Sequence, residues 1–235
     1  MKLLTFNIQH GGRARVPDIC RVIEQHNADV IVLTEYRDNT SGAKIKSRLK
    51  AGGWANQASS HPPAGANGVL VLSKSPFTQT PVLDDVPGGS CRWIECDFQS
   101  FILVGTYFPQ LSLKILHWKW FVRQASERSS RPCILMGDFN TGKHFIDEPG
   151  ATFTGPEYLG QLEQLGFVDA WRHFHPEGRE YTYYGQVNGY RLDYAFASKA
   201  LAPRLSQAFH SHAERELKVS DHSALLVEFD SPDRD

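Results

Sequence analysis

The stretch Cys133-Ile134-Leu135-Met136-Gly137-Asp138-Phe139-Asn140 decides the reading of this chain. Four apolar residues in a row, then glycine, then a carboxylate and a carboxamide, describe a buried strand that ends by aiming polar groups into a cleft. Asp138 and Asn140 in such a place suit the handling of water, metal or phosphate better than packing. The same kind of ending recurs along the chain. Asn7 closes the run Leu3-Leu4-Thr5-Phe6, Glu35 comes just after Val30-Ile31-Val32-Leu33, and Tyr107 comes shortly after Ile102-Leu103-Val104. Asp193 lies within Arg191-Leu192-Asp193-Tyr194, and Ser220-Asp221-His222 precedes Ala224-Leu225-Leu226-Val227. Strand ends far apart in sequence are therefore expected to converge on one site.

The remaining composition narrows the class. With 235 residues, 41% hydrophobic and 22% charged, the chain is of ordinary globular make-up, and residues 1–235 are expected to form a single domain. No stretch has the apolar length of a signal peptide or a membrane helix, so a soluble, cytoplasmic monomer is expected, with no membrane partner. Cys20, Cys91, Cys96 and Cys133 lie in or beside apolar runs without a C-x-x-C pair, which reads as buried free thiols rather than a disulfide frame or a zinc knuckle. A formal net charge of −1 excludes a polycationic nucleic-acid coat. The charge is uneven, however. Lys44, Lys46, Arg48 and Lys50 fall in a segment without acidic neighbours, and Lys114, Lys119, Arg123, Arg128 and Arg131 face only Glu127. Solvated helix faces explain both groups; a ledge for a polyanion is the sharper alternative.

Short runs rich in Val, Ile, Leu and Phe alternate with helical spacing at about 15–27, 41–51, 112–129 and 156–165. A strand-turn-strand segment over 92–106, turning near Gln99-Ser100, predicts a mixed rather than purely parallel sheet. No internal repeat, low-complexity tract or linker interrupts the pattern.

The site residues carry the chemistry. Glu35, Asp138 and Asp221 near one point repel each other unless a cation neutralises them. Oxygen ligands without cysteine favour a hard ion, Mg²⁺ or Mn²⁺, and such an ion suits phosphoester hydrolysis. His222 beside Asp221, with Asp193 to accept its other ring proton, has the form of an imidazole oriented by a carboxylate. An isolated Ser-Asp-His would be read as a turn or a cap. Asp193 is harder to dismiss, because a carboxylate between Leu192 and Tyr194 is costly to bury unless paired, and His222 or Arg191 are its available partners. Asn7 and Asn140 can donate and accept, but both also suit turns. Tyr107 can be a packed aromatic or a hydroxyl reaching a phosphoryl oxygen.

Taken in order, Phe6-Asn7-Ile8, Leu33-Thr34-Glu35, Tyr107-Phe108-Pro109-Gln110, Gly137-Asp138-Phe139-Asn140, Arg191-Leu192-Asp193-Tyr194 and Ser220-Asp221-His222 resemble the motif series of the endonuclease/exonuclease/phosphatase superfamily. The resemblance runs from Met1 to about Phe229, and the Tyr-Phe-Pro-Gln form is most similar to the exonuclease III-like abasic-site (AP) endonucleases. It implies an α/β fold, a four-layered α/β/β/α sandwich of two packed mixed sheets. It implies a catalytic set of Tyr107, Asp138, Asn140, Asp193 and His222, with Asp138 orienting or deprotonating water and His222 contacting or protonating the phosphate. Which of Asp138 and His222 is the base stays open at this point. Metal binding falls to Glu35, Asn7 and Asp221, and substrate binding to Asn7, Asn140 and Arg191. The implied activity is Mg²⁺-dependent hydrolysis of DNA phosphodiesters, of the AP endonuclease or 3'-5' exonuclease type. Two departures accompany the resemblance: Gln9 stands where the repair nucleases usually carry Asp or Asn, and the loops after Gln110 and between Tyr184 and Arg191 are shorter. Trimmed loops make single strands, DNA ends or a small phosphoester credible substrates, with Trp118 and Trp120 as stacking surfaces if exposed. A phosphatase or phosphodiesterase on a nucleotide, sugar phosphate or phospholipid head group is the alternative, and a catalytically dead binding module the third reading.

Overall fold

A computed structural model describes residues 1–81 and 83–230. The strands are β1 (Lys2–Asn7), β2 (Val30–Tyr36), β3 (Asn56–Ser59), β4 (Gly68–Ser73), β5 (Thr78–Gln79), β6 (Trp93–Asp97) and β7 (Ile102–Tyr107). They continue with β8 (Cys133–Asp138), β9 (Val168–Asp169), β10 (Tyr183–Tyr184), β11 (Gly189–Tyr190), β12 (Asp193–Ala197), β13 (Leu205–Ser211) and β14 (Ala224–Phe229). The helices are α1 (Val16–His26), α2 (Thr40–Ala51), α3 (Leu113–Arg128), α4 (Glu157–Gln164), α5 (Ala170–Phe174) and α6 (Ala213–Glu216). The four helices expected from spacing are α1 to α4, and the expected strand-turn-strand is β6–β7, with Gln99 turning at φ 67.

Two six-stranded mixed sheets form, in the orders β13-β14-β1-β2-β4-β3 and β5-β6-β7-β8-β12-β9. Alternate side chains of one strand serve different layers. Leu3, Val30 and Val32 pack between the sheets against Leu103, Ile134 and Met136. Leu4, Ile31 and Leu33 turn outward onto Ile19 and Ile23 of α1 and Ile45 of α2. On the other side Val104, Leu135 and Phe196 meet Trp118 and Phe121 of α3 and Leu159 of α4. Burial on both faces is why these strands read as continuous apolar runs, and the outcome is the four-layered α/β/β/α sandwich expected from the sequence.

All four cysteines are buried and free, as their apolar setting indicated. Trp118 and Trp120 are 0% and 5% exposed, which removes them as stacking surfaces: Trp118 packs on Phe108, Phe139 and Tyr158, and Trp120 on Trp93. No described helix is long and apolar enough to cross a membrane.

Strand direction gathers the site. β1 and β2 run parallel, as do β7 and β8, so Asn7, Glu35, Tyr107 and Asp138 all emerge at one edge of the sandwich. β14 is antiparallel to β1 and β12 is antiparallel to β8, so their starts lie at that same edge. Asp193 and Ser220-Asp221-His222 thus enter at strand beginnings, whereas Asn7, Glu35, Tyr107 and Asp138 sit at strand endings.

Candidate active site

In the second sheet Asp138 is flanked by Tyr107 of β7 on one side and Asp193 of β12 on the other, by direct register. Gly137 makes the row possible. Its φ is 148°, and a Cβ there would stand 1.9 Å from the Thr106 carbonyl oxygen, so only glycine fits before Asp138. In the first sheet Glu35 takes a left-handed backbone, φ 55°, and the β2–β4 register slips between Thr34 and Tyr36. The bulge re-aims the carboxylate out of the strand. Asn140 is left-handed as well, φ 50°, a conformation Asn tolerates better than most residues.

Asn7 joins the two sheets. Its Nδ2 donates to Asp138 Oδ2 at 2.9 Å and lies 3.4 Å from Glu35 Oε1, while its Oδ1 accepts from the Gln9 amide at 2.9 Å. Glu35 also accepts from the His10 amide at 2.7 Å, Asn67 Nδ2 at 3.0 Å and the Tyr107 hydroxyl at 3.3 Å. Burial, then the charges of Glu35 and Asp138, hold the Tyr107 phenol well above its ordinary pKa. It therefore stays a neutral donor at physiological pH.

Asp193 Oδ2 accepts from His222 Nδ1 at 2.8 Å, and both residues are buried. Of the two partners open to Asp193 on sequence grounds, the fold selects His222. Burial alone would drive His222 toward the neutral ring; the Asp193 carboxylate outweighs it, with Asp138 and Asp221 adding, and raises the pKa to about 10. Asp138 moves oppositely to a usual surface aspartate: burial first, then the charge of Asp193, push it up to about 7. One potential ligand atom each from Asp138, Asp193 and His222 lies within 4.8 Å of the others. Asp193 Oδ1 is buried without a partner.

Asp221 sits at the border of the cluster, where Gln9 Nε2 donates to its Oδ2 at 2.9 Å. Asn140 is held on three sides: its amide donates to Asp138 Oδ1 at 2.8 Å, its Nδ2 to the Phe108 carbonyl at 2.9 Å, and Gln110 donates to its Oδ1 at 3.2 Å. The Lys114 ammonium, buried under α3, donates to the Asn140 carbonyl at 2.6 Å.

Arg191 goes elsewhere. It is 1% exposed, and its guanidinium is shared between Asp147 at 2.7 Å and Asp169 at 2.7 and 3.2 Å. Tyr194 and Arg172 complete this buried network through Asp147. A buried guanidinium whose charge is shared by two carboxylates is not presented to a phosphate, so its expected substrate contact gives way to an anchoring role for the start of β12. The arginines of the basic faces are paired, Arg48 with Glu24, Arg123 with Asp85, Arg128 with Glu95 and Arg131 with Asp97, whereas Lys44, Lys46, Lys50 and Lys119 have no ion pair among the described residues.

His10 and Asn67 are partners of Glu35 that the sequence did not disclose. Asn67 lies in Gly65-Ala66-Asn67-Gly68, which reads as a turn. Only the antiparallel pairing of β4 with β2 delivers it.

A family model described as the Endonuclease/Exonuclease/phosphatase family matches residues 4–222. The chain is 26% identical over 263 residues to a DNA-(apurinic or apyrimidinic site) endonuclease of Dictyostelium discoideum, covering 98% of this chain and 71% of that protein. An AP endonuclease from Archaeoglobus fulgidus superposes with TM-score 0.82 at 22% identity, covering 98% of this chain and 100% of its own. The 3' phosphatase NExo from Neisseria, solved bound to product DNA hairpin, superposes with TM-score 0.84 at 22% identity and the same coverage. Matched over nearly its whole length and carrying the acidic and imidazole groups at one edge of the sandwich, the chain belongs to the Endonuclease/Exonuclease/phosphatase family.

Proposed function

We propose that residues 1–235 form a single domain that hydrolyses DNA phosphodiester bonds with a divalent metal, in the manner of an AP endonuclease or 3'-5' exonuclease. The observation that carries this reading is the Asp138–Asp193–His222 cluster, joined through Asn7 to Glu35. The named activities of the relatives and the DNA hairpin in the Neisseria structure point the same way. DNA is the partner in this reading, including single strands and ends, and the protein acts as a monomer in the cytoplasm.

His222 is the acid or phosphate contact, and Asp138 the base. An imidazole held charged by Asp193 has no free capacity to accept a proton at neutral pH, whereas a carboxyl near 7 exchanges protons readily. Asp193 orients the ring and supports its charge. Asn140, clamped by Phe108, Gln110 and Lys114, holds a phosphoryl oxygen, and the neutral Tyr107 hydroxyl donates to it.

The donor set of Glu35, Asn7 and Asp221 offers oxygens without a thiolate, which fits a hard ion such as Mg²⁺ or Mn²⁺. A charged imidazole is a poor ligand, so the metal belongs on the Glu35 side of the cluster, with Asp221 at its border. Asn7 would ligate through Oδ1, which requires its amide to turn over, because Nδ2 now faces both carboxylates. When bound, the ion would offset the charge on the phosphoryl oxygens.

Incubation with abasic-site duplex, nicked duplex and single strands, with Mg²⁺ and with a chelator, tests the reading. Chelator-sensitive cleavage is expected, and no cleavage of any nucleic acid would refute it. The second reading, hydrolysis of a small phosphoester, draws on the near-neutral net charge and on the ion pairs that take up the arginines of the basic helix faces. It predicts phosphate release from small esters with weak, salt-insensitive DNA binding.

A further inference from the structure

Beside the catalytic cluster lies a second cleft, of about 300 Å³, lined by Gln9, Tyr184, Arg215, Lys218, Ser220 and Asp221. It adjoins the reacting groups through the chain itself. Asp221 precedes His222, and Tyr183, which precedes Tyr184, forms a β-bridge to His222 with the two rings 5.1 Å apart. Gln9 lines the cleft and donates to Asp221, and its backbone amide donates to Asn7 of the cluster.

The cations here differ from the arginines of the helix faces. Among the described residues, neither Arg215 nor Lys218 has an ion pair, whereas Arg48, Arg123, Arg128 and Arg131 all do. Arg215 is held in place without being neutralised: its guanidinium lies 4.4 Å from the centre of the Tyr184 ring, and its Nε donates to Ser223 Oγ at 3.3 Å. Stacking on an aromatic face fixes the plane of the fork and leaves the charge available. Lys218 follows α6 in a left-handed conformation, φ 57°, uncommon for a residue other than glycine. Two cations stand against the single carboxylate of Asp221, whose Oδ2 already accepts from Gln9. Tyr184 in the lining is 50% exposed.

Resting on the nuclease reading, we propose that this cleft is a subsite for a nucleic-acid backbone: Arg215 and Lys218 take the phosphate groups flanking the scissile one, and Tyr184 positions Arg215. The ligand class is a strand of at least a few nucleotides rather than a mononucleotide ester. In a chain of net charge −1, two cations without ion pairs thus line a cleft next to the reacting groups.

The test uses the full chain carrying Asp138→Asn, to block turnover, and a fluorescein-labelled eight-nucleotide single strand, with anisotropy read across a KCl series. Each phosphate contact contributes about 0.7 to the slope of log affinity against log salt for a single strand, so Arg215→Gln/Lys218→Gln should lower the slope by about 1.4. Lys218→Gln alone, a change at an exposed side chain, should lower it by about 0.7 and guards against misfolding of the double variant. Lys46→Gln/Lys50→Gln, toward the far end of α2, should leave the slope unchanged. An unaltered slope in both cleft variants, or an equal fall in the α2 control, would overturn the proposal. A wild-type protein that shows the slope yet cleaves no nucleic acid would refute the nuclease reading and leave the subsite standing; cleavage with cleft-independent binding would do the reverse.

Discussion

At the scale of single residues, the site separates two carboxylates by environment. Asp193 faces the His222 ring at 2.8 Å, while Asp138, buried beside it, is pushed up to about 7. Asp138→Asn keeps the shape and hydrogen bonding of the side chain and removes its basicity. Activity should fall by roughly 10²–10⁴, the usual worth of a positioned base, with the melting temperature nearly unchanged. Steady-state cleavage and a thermal scan on one preparation check this, and retained turnover would move the water-handling role elsewhere. Arg191 makes the contrasting case. It stands two residues before Asp193 in a motif that reads as functional, yet its charge is consumed by Asp147 and Asp169. Those partners lie 44 and 22 residues away, so no local pattern announces them. Arg191→Met should leave two buried carboxylates facing each other and cost about 3–5 kcal/mol. Chemical denaturation measures that loss; a stable variant deficient only in substrate binding would contradict the anchoring role.

At the scale of elements, the glycine that starts Gly137-Asp138-Phe139-Asn140 is a requirement of close strand approach. Gly137→Ala would set a methyl against the Thr106 carbonyl, which belongs to backbone and cannot step aside. A loss of roughly 2–3 kcal/mol of stability is expected, of the size attached to strained or overpacked positions. Activity should drop with it, because the β7–β8 register that aligns Tyr107 with Asp138 must open. Equilibrium unfolding and cleavage measured on the variant test both parts. The elements legible in the sequence were those buried on both faces, such as β1, β2, β7 and β8, and the helices α1 to α4 with their apolar spacing. β13, Leu-Ser-Gln-Ala-Phe-His-Ser, is an edge strand whose partly solvated side chains give no apolar run. The basic patterns around α2 and α3 were visible, but the acids that pair their arginines, Glu24, Asp85, Glu95 and Asp97, come from other elements.

At the scale of the whole molecule, two sheets of mixed direction bring parallel strand ends and antiparallel strand starts to one edge, so six short motifs become one cluster. The order of the motifs carried that convergence into the sequence. The roles within it needed geometry, such as the orientation of the Asn7 amide and the choice of His222 as the partner of Asp193. The buried Arg191 network also couples the fold to pH. Burial favours the protonated Asp147, but Arg191, Lys143 and Arg172 outweigh it and hold its pKa below the usual range. Its contribution is therefore complete above the unfolded value of about 3.9 and is lost as the pH falls below that toward the lowered folded value. The Asp147 share of the melting temperature should be constant from neutral pH to about 5 and be lost below about 4. In Asp147→Asn the starting temperature should be lower and this acid limb shallower; an unchanged limb would assign the acid sensitivity to other carboxylates.

The central claim is that residues from both sheets act as one hydrolytic unit, and a double-mutant cycle in Mg²⁺-dependent DNA cleavage addresses it most directly. Groups that serve a single step lose their effect together, so Asp138→Asn combined with His222→Asn should be little worse than the more damaging single change. Losses that multiply in the double variant would show two independent contributions and contradict a shared site.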